Sequence, residues 1–176
     1  MRTPVAAPTR ASLPYRSQRA YVATLLDVLA RLLAAGSRVD PVIQRELAGF
    51  PEGTTIAFSV LGEQLGMRVA VHEGRFVRAG SEHDAPTIEI VFKHLAHAFA
   101  LLSFQESTPV AFARDRMVTH GDVALTMRFV RCLDRVQAVA LPRFVAARAL
   151  KSVPVLPVRQ KLGLAARIYA RALSPR

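Results

Sequence analysis

The feature that most restricts the fold is a change of hydrophobic period, from helical to two near residue 53 and back again near residue 94. Upstream, "AYVATLLDVLARLLAAG" repeats Tyr21, Leu25, Val28, Leu29 and Leu32 at helical spacing. A helix is expected over roughly 18–35, capped by Ser17 and ended by Gly36. Asp40-Pro41 suits a second cap with proline in the first turn, opening the short helix "PVIQRELAGF". After "FPEGT" the pattern alternates. Thr54, Ile56, Phe58 and Val60 fall on one face, and Met67, Val69 and Val71 alternate with Arg68, Ala70 and His72. "GEQLG" between them is a hairpin-type connection. "RFVRAG" is a further short strand and "SEHDAP" a polar turn. In "TIEIVFK", Ile88, Ile90 and Phe92 alternate with Glu89 and Lys93. Consecutive short strands of this kind predict an antiparallel meander with one wet face.

Helical spacing returns in "HLAHAFALLSF", where Leu95, Ala98, Phe99 and Leu102 share a face. Thr108-Pro109 reads as a cap and proline start for the short turn "VAFARD", and "RMVTH" as a last strand. A long helix then runs from Asp122 to Leu141, stopped by Pro142. Gly121 frees the turn into it, and Asp122 is placed to cap it. Its apolar arc is wide: Val123, Leu125, Met127, Phe129, Val130, Cys132, Leu133 and Val136. Such a helix is buried on more than one side or lines a cavity. The expected class is α+β, an antiparallel or mixed sheet of about five strands covered by helices.

Charge separates the ends from the middle. The net charge is +11 over 176 residues, yet residues 21–142 carry twelve basic and thirteen acidic groups. Residues 1–20 and 143–176 hold the other twelve basic groups and no acid. This divides the chain into a loose basic tail (1–16), a domain (17–150), and a proline linker with a basic amphipathic helix (151–176). On that helix Val158, Leu162, Ala165, Ile168, Tyr169 and Leu173 fill one arc and Arg159, Arg167 and Arg171 the opposite one. Lys161 and Leu164 are misfits. Two readings stand: an interfacial helix whose Arg159, Lys161, Arg167 and Arg171 face an anionic membrane, or a helix packed on its own domain with a solvated basic face. Cationic ends also suit nucleic acid, but no recognised module or aromatic stacking pair accompanies them. No run of eighteen uncharged apolar residues occurs, so no transmembrane helix is expected. The acid-free, arginine-bearing start also imitates a transit peptide. The single cysteine, Cys132, excludes an intrachain disulfide, and a reducing cytoplasmic location is expected.

The residue patterns of catalysis are sparse. His94 and His97 lie three apart, near enough to share an ion, but no HExxH pattern or cysteine pair supports a metal, and surface or packing roles are expected. There is no GxSxG elbow, GxGxxG or P-loop. His120 and Asp122 have the side chains of an acid–base pair, but strand end and helix cap are the preferred roles. No catalytic residue, metal ligand or cofactor is assigned. Nine phenylalanines and no tryptophan, on a small sheet packed by helices of broad apolar arc, suit a cavity for a hydrophobic ligand.

The order of features carries a resemblance. An N-terminal helix, strands, "PTIEIVFK", a helix, "PVAFARD", "RMVTHGD" and a long helix together resemble the sterol carrier protein 2 (SCP2) lipid-binding domain over roughly 20–142. Gly121, Asp122 and Leu125 match the family's recurrent "GD" before a helix with leucine three positions on. "RMVTHGDVALTMRFVRCLDRVQAVALP" is similar to the bacterial SCP2-like accessory factors of ubiquinone biosynthesis. The basic helix after "SVPVLP" has no counterpart in either. The resemblance implies a non-enzymatic carrier of a sterol, acyl or isoprenoid-quinone type lipid, working at the membrane surface beside biosynthetic enzymes. Phe92, Phe99, Leu102, Phe112, Leu125, Phe129 and Leu133 are its expected lining. The competing expectation is a scaffold that docks partner enzymes through the helices 122–141 and 157–173, with nucleic-acid binding third.

Overall fold

In the computed structural model, which describes residues 14–80, 85–140 and 158–173, the alternating segment becomes a five-stranded sheet flanked by helices. Helix α1 spans Tyr15–Val39. It starts inside the segment read as a tail, with Pro14 rather than Ser17 in the cap position. It also runs through Gly36 instead of stopping there. A Cβ on Gly36 would lie 2.9 Å from Ile43 Cδ1 and 3.4 Å from Val136 Cγ2. This glycine is a packing notch. The helix ends at Asp40, whose extended backbone (φ −102°, ψ 113°) is what a residue before proline prefers. Asp40 Oδ1 accepts the Val42 N–H at 2.8 Å, capping α2 (Pro41–Leu47) as its sequence predicts.

The strands are β1 (Thr55–Val60), β2 (Gly66–His72), β3 (Arg75–Arg78), β4 (Ile88–Phe92) and β5 (Met117–Gly121). β1, β2 and β3 form the expected antiparallel meander. β4 does not extend it: it returns beside β1 and pairs in parallel, and β5 pairs antiparallel with β4. The spatial order is β3-β2-β1-β4-β5, so the sheet is mixed. Sequence composition explains the sorting. "IEIVF" has apolar groups on both faces and suits an interior strand, whereas the four-residue "RFVR" with charged ends suits an edge.

One sheet face is core. Ile56, Phe58, Val60, Val69, Val71, Phe76, Ile88, Ile90, Phe92 and Met117 are all buried on it. Phe58 packs its ring 5.9 Å from Phe92 and 5.9 Å from Phe129, and Phe129 lies 5.8 Å from Phe76. This aromatic chain ties the sheet to helix α5 (Val123–Ala140). α1 is long and apolar enough, by length and composition, to cross a membrane. Its Val22, Leu26, Ala30 and Leu33 are nevertheless buried against the rest of the core.

Helices α3 (Leu95–Leu102) and α4 (Thr108–Ala113) connect β4 to β5. Ser107, not Thr108, holds the cap position of α4, and no side-chain bond is made there. Asp122 caps α5: its Oδ1 accepts the Leu125 N–H at 2.9 Å. Gly121 before it has φ +111°, and a Cβ there would lie 2.3 Å from Thr87 O. The apolar arc of α5 is narrower than its sequence suggests, since Val123 is 75% exposed and Met127 51%. Helix α6 (Val158–Leu173) lies against α1 and α5. Its Ile168 is buried, and Tyr169 Oη donates to Ala140 O at 2.8 Å. Residues 1–13, 81–84, 141–157 and 174–176, and with them most of the expected basic tail, most of the expected "SEHDAP" turn and the expected proline linker, lie outside the described residues.

Candidate functional site: an apolar cleft

The helical stripe of α1 that carries Leu25, Leu29 and Leu32 does not close fully onto its neighbours. Between it, the end of α3 (Leu101, Leu102) and the last turns of α5 (Val136, Ala140) lies a chamber of about 140 Å³. Tyr21 and Val28, both partly open to solvent, stand at its rim. Phe104, at φ +58°, turns the chain out of α3, and its side chain joins the wall. A second chamber of about 30 Å³ is more enclosed and reaches the sheet at Phe58, Ile90 and Met117. Leu29, Leu101, Leu102, Thr108 and Gln137 line both. The two chambers are therefore neighbours across one shared wall.

Two carboxylates touch this cleft, and their settings differ. Glu106 is held by Arg114 Nη1 at 3.0 Å and Arg116 Nη1 at 2.8 Å. Asp134, in the wall of the deeper chamber, has no hydrogen-bond or ion-pair partner among the described residues, and burial pushes its carboxyl up.

The residues expected to line a cavity divide into groups. Leu102, Phe112 and Leu133 do so. Phe92 and Phe129 line neither of these two chambers: both are buried in the aromatic chain between sheet and α5. Phe99 stacks edge-on against Tyr21 at 5.2 Å, beside the rim, and Leu125 packs half-buried against the core. Sequence reasoning missed Leu101, Val136, Ala140 and the α1 leucines as wall residues. Their helical spacing was legible, but a core-facing stripe and a cavity-facing stripe have the same composition. Of the four basic residues assigned to a membrane surface, Arg159 and Lys161 fall within α6, and Arg167 and Arg171 are exposed there. Nothing further of the Arg159 and Lys161 side chains falls within the described residues.

The residues with catalytic side chains are scattered. His120 sits on β5, opposite Glu89 in the sheet register, and Asp122 is engaged as a cap; neither lines the cleft. Cys132 is buried, and desolvation pushes its thiol up to about 12, far from a nucleophile's range. The His94 and His97 rings lie 5.1 Å apart. Burial, then the neighbouring Arg116 and His94 charges, lowers the His97 imidazole. Among the described residues no three of His, Cys, Asp or Glu are grouped to hold a metal ion.

No protein-family model matches the chain, and no curated protein does. Solved structures do. The structures it resembles include SCP2 domains. One is a UbiJ-SCP2 ubiquinone synthesis protein, 13% identical, with a TM-score of 0.43 over 70% of this chain and 99% of that one. The sterol carrier protein 2 of Yarrowia lipolytica, in its apo form, is 14% identical with a TM-score of 0.45, over 64% of this chain and 89% of that one. The sterol carrier protein domain 2 of Helicoverpa armigera is 13% identical with a TM-score of 0.44, over 70% and 89%.

Proposed function

We propose that this chain binds and carries a hydrophobic lipid in the cleft between α1, α5 and the α3–α4 corner, without covalent chemistry. The observation that carries the reading is the chamber walled by Leu25, Leu29, Leu32, Leu101 and Leu102, open past Tyr21 and Val28. An acyl or prenyl chain entering it gains about 0.8 kcal/mol for each methylene buried, and can leave again because no bond is formed. The likeness of residues 116–142 to ubiquinone-biosynthesis accessory factors makes an isoprenoid quinone precursor the first ligand to test.

Membrane contact belongs to the same proposal. Arg167 and Arg171 are exposed on α6, and with Arg159 and Lys161 they would each add about 1 kcal/mol near an anionic leaflet on the cytoplasmic side. The packing of α6 on α1 and α5, with Ile168 buried, is compatible with a contact made through its exposed arginines. A second reading rests on Val123 and Met127, exposed one turn apart on α5: they suit contact with a partner enzyme.

Native mass spectrometry of the purified protein should show a bound lipid, or extraction should recover one. A clean protein that takes up neither fatty chains nor quinones refutes the reading. Deleting residues 153–176 tests the membrane contact, and Val123→Ser with Met127→Ser tests the partner contact. Loss of vesicle binding in the first supports the membrane role; loss of a co-purifying complex in the second supports the partner role.

A further inference from the structure

Asp134 is out of place in a wall built for hydrocarbon. It shares a helical stripe with Val130, Leu133 and Gln137, the i, i+3, i+4, i+7 spacing that points one way from α5, and all four line the deeper chamber. Among the described residues, every other carboxylate that is buried or half-buried has a hydrogen-bond or ion-pair partner: Asp27 and Asp40 bind arginines, as do Glu46, Glu63 and Glu106, while Glu89 accepts from Ser59. Asp134 is half withdrawn from water and has no partner among the described residues, which disfavours its anion, and a hydrogen-bond donor entering the chamber would offset this.

The chamber states what that could be. About 30 Å³ is room for on the order of two water-sized groups, enough for a small head and not for a bulky one. The chain behind such a head would pass Leu102, Leu101 and Leu29 into the larger chamber. No basic side chain lines either chamber among the described residues, and the other carboxylate, Glu106, is already held by two arginines. A fatty-acid anion would meet Asp134 with no counter-charge to hold it. Thr108 and Gln137, on the shared wall, offer neutral hydrogen bonds only.

We propose that Asp134 selects the ligand's head: the cleft takes an amphiphile whose buried end donates a hydrogen bond, an alcohol or amine on a long chain, in preference to a fatty-acid anion. This rests on the lipid-binding reading above and adds an orientation, head inward against the sheet and chain outward. The groups facing Asp134 within the chamber are Gln137 on its own helix, Thr108 on α4, and apolar side chains from the sheet and α1.

The test uses the delipidated full chain at about pH 8, with dodecanol, dodecylamine and dodecanoate competing against an environment-sensitive fluorescent probe. Dodecanol and dodecylamine should displace the probe at a roughly tenfold lower concentration than dodecanoate, the effect of one unfavourable carboxylate neighbour. Asp134→Asn should shrink the gap to less than about threefold, chiefly by improving dodecanoate, while its thermal midpoint stays level or rises. Equal affinities in the wild type, or a gap that survives D134N, overturn the head-group assignment and leave the cleft reading standing. Failure of all three ligands to bind overturns both. A D134N protein that unfolds well below the wild type shows a structural partner for Asp134 and likewise overturns the proposal.

Discussion

Replacing Asp40 with alanine removes two contacts at once, and their geometry sets the size of the loss. Asp40 is fully buried; Oδ1 accepts from Val42 N at 2.8 Å and Oδ2 from Arg135 Nε at 2.7 Å. The first contact caps α2, and its loss costs about 1 kcal/mol. The second joins the α1–α2 corner to α5, with the Arg135 side chain only 13% exposed. Stranding that guanidinium costs about 3–5 kcal/mol. D40A should therefore lose about 4–6 kcal/mol, a large part of the 5–15 kcal/mol typical of a domain. Asp40→Asn keeps an acceptor for the cap and loses only the charge, so it should fall about 1 kcal/mol less. Arg135→Met combined with D40N should cost less than the sum of the single changes, with a coupling of at least about 1.5 kcal/mol. Urea unfolding with linear extrapolation measures the wild type and all four variants. A D40A variant within about 1 kcal/mol of the wild type, or a strictly additive cycle, refutes the idea that this pair clamps the corner.

Three further outcomes follow from the same structure. Leu102 lines both chambers, so Leu102→Trp should fill them and lower the lipid recovered by roughly tenfold or more, with a stability change of only about 1–3 kcal/mol by urea unfolding. Gly121→Ala should cost well over 1 kcal/mol in the same assay, because φ +111° and the 2.3 Å approach to Thr87 O both oppose a Cβ. Cys132 stays a thiol in the folded state up to about 12, whereas its ordinary value is 9.0. The folded form therefore binds more protons between those values. Stability should fall as pH rises above 9, by about 1.4 kcal/mol per unit more than in Cys132→Ala; parallel slopes in the two proteins would contradict the buried, unionised thiol.

What the sequence alone decided is local. The change of period marked the five strands and the helices, because alternation and helical spacing are properties of neighbouring residues. Asp40-Pro41 and Gly121-Asp122 announced their caps for the same reason: a cap closes on backbone two or three residues away. Gly36 shows where local rules stop. As a glycine after an apolar stripe it reads as a helix end, but the crossing with Ile43 and Val136 makes it a notch inside the helix. The parallel β1–β4 pairing is likewise a long-range fact, set by which strand could be buried on both faces. The cleft is the furthest from sequence. Phe92 and Leu102 are equally apolar on predicted inward faces, yet one is locked against Phe58 and the other borders open volume. A cavity is space that neighbouring elements fail to fill, so only the relative placement of α1, α3 and α5 could decide its walls, and only that placement turned Asp134 from one charge among many into a wall residue without a partner among the described residues.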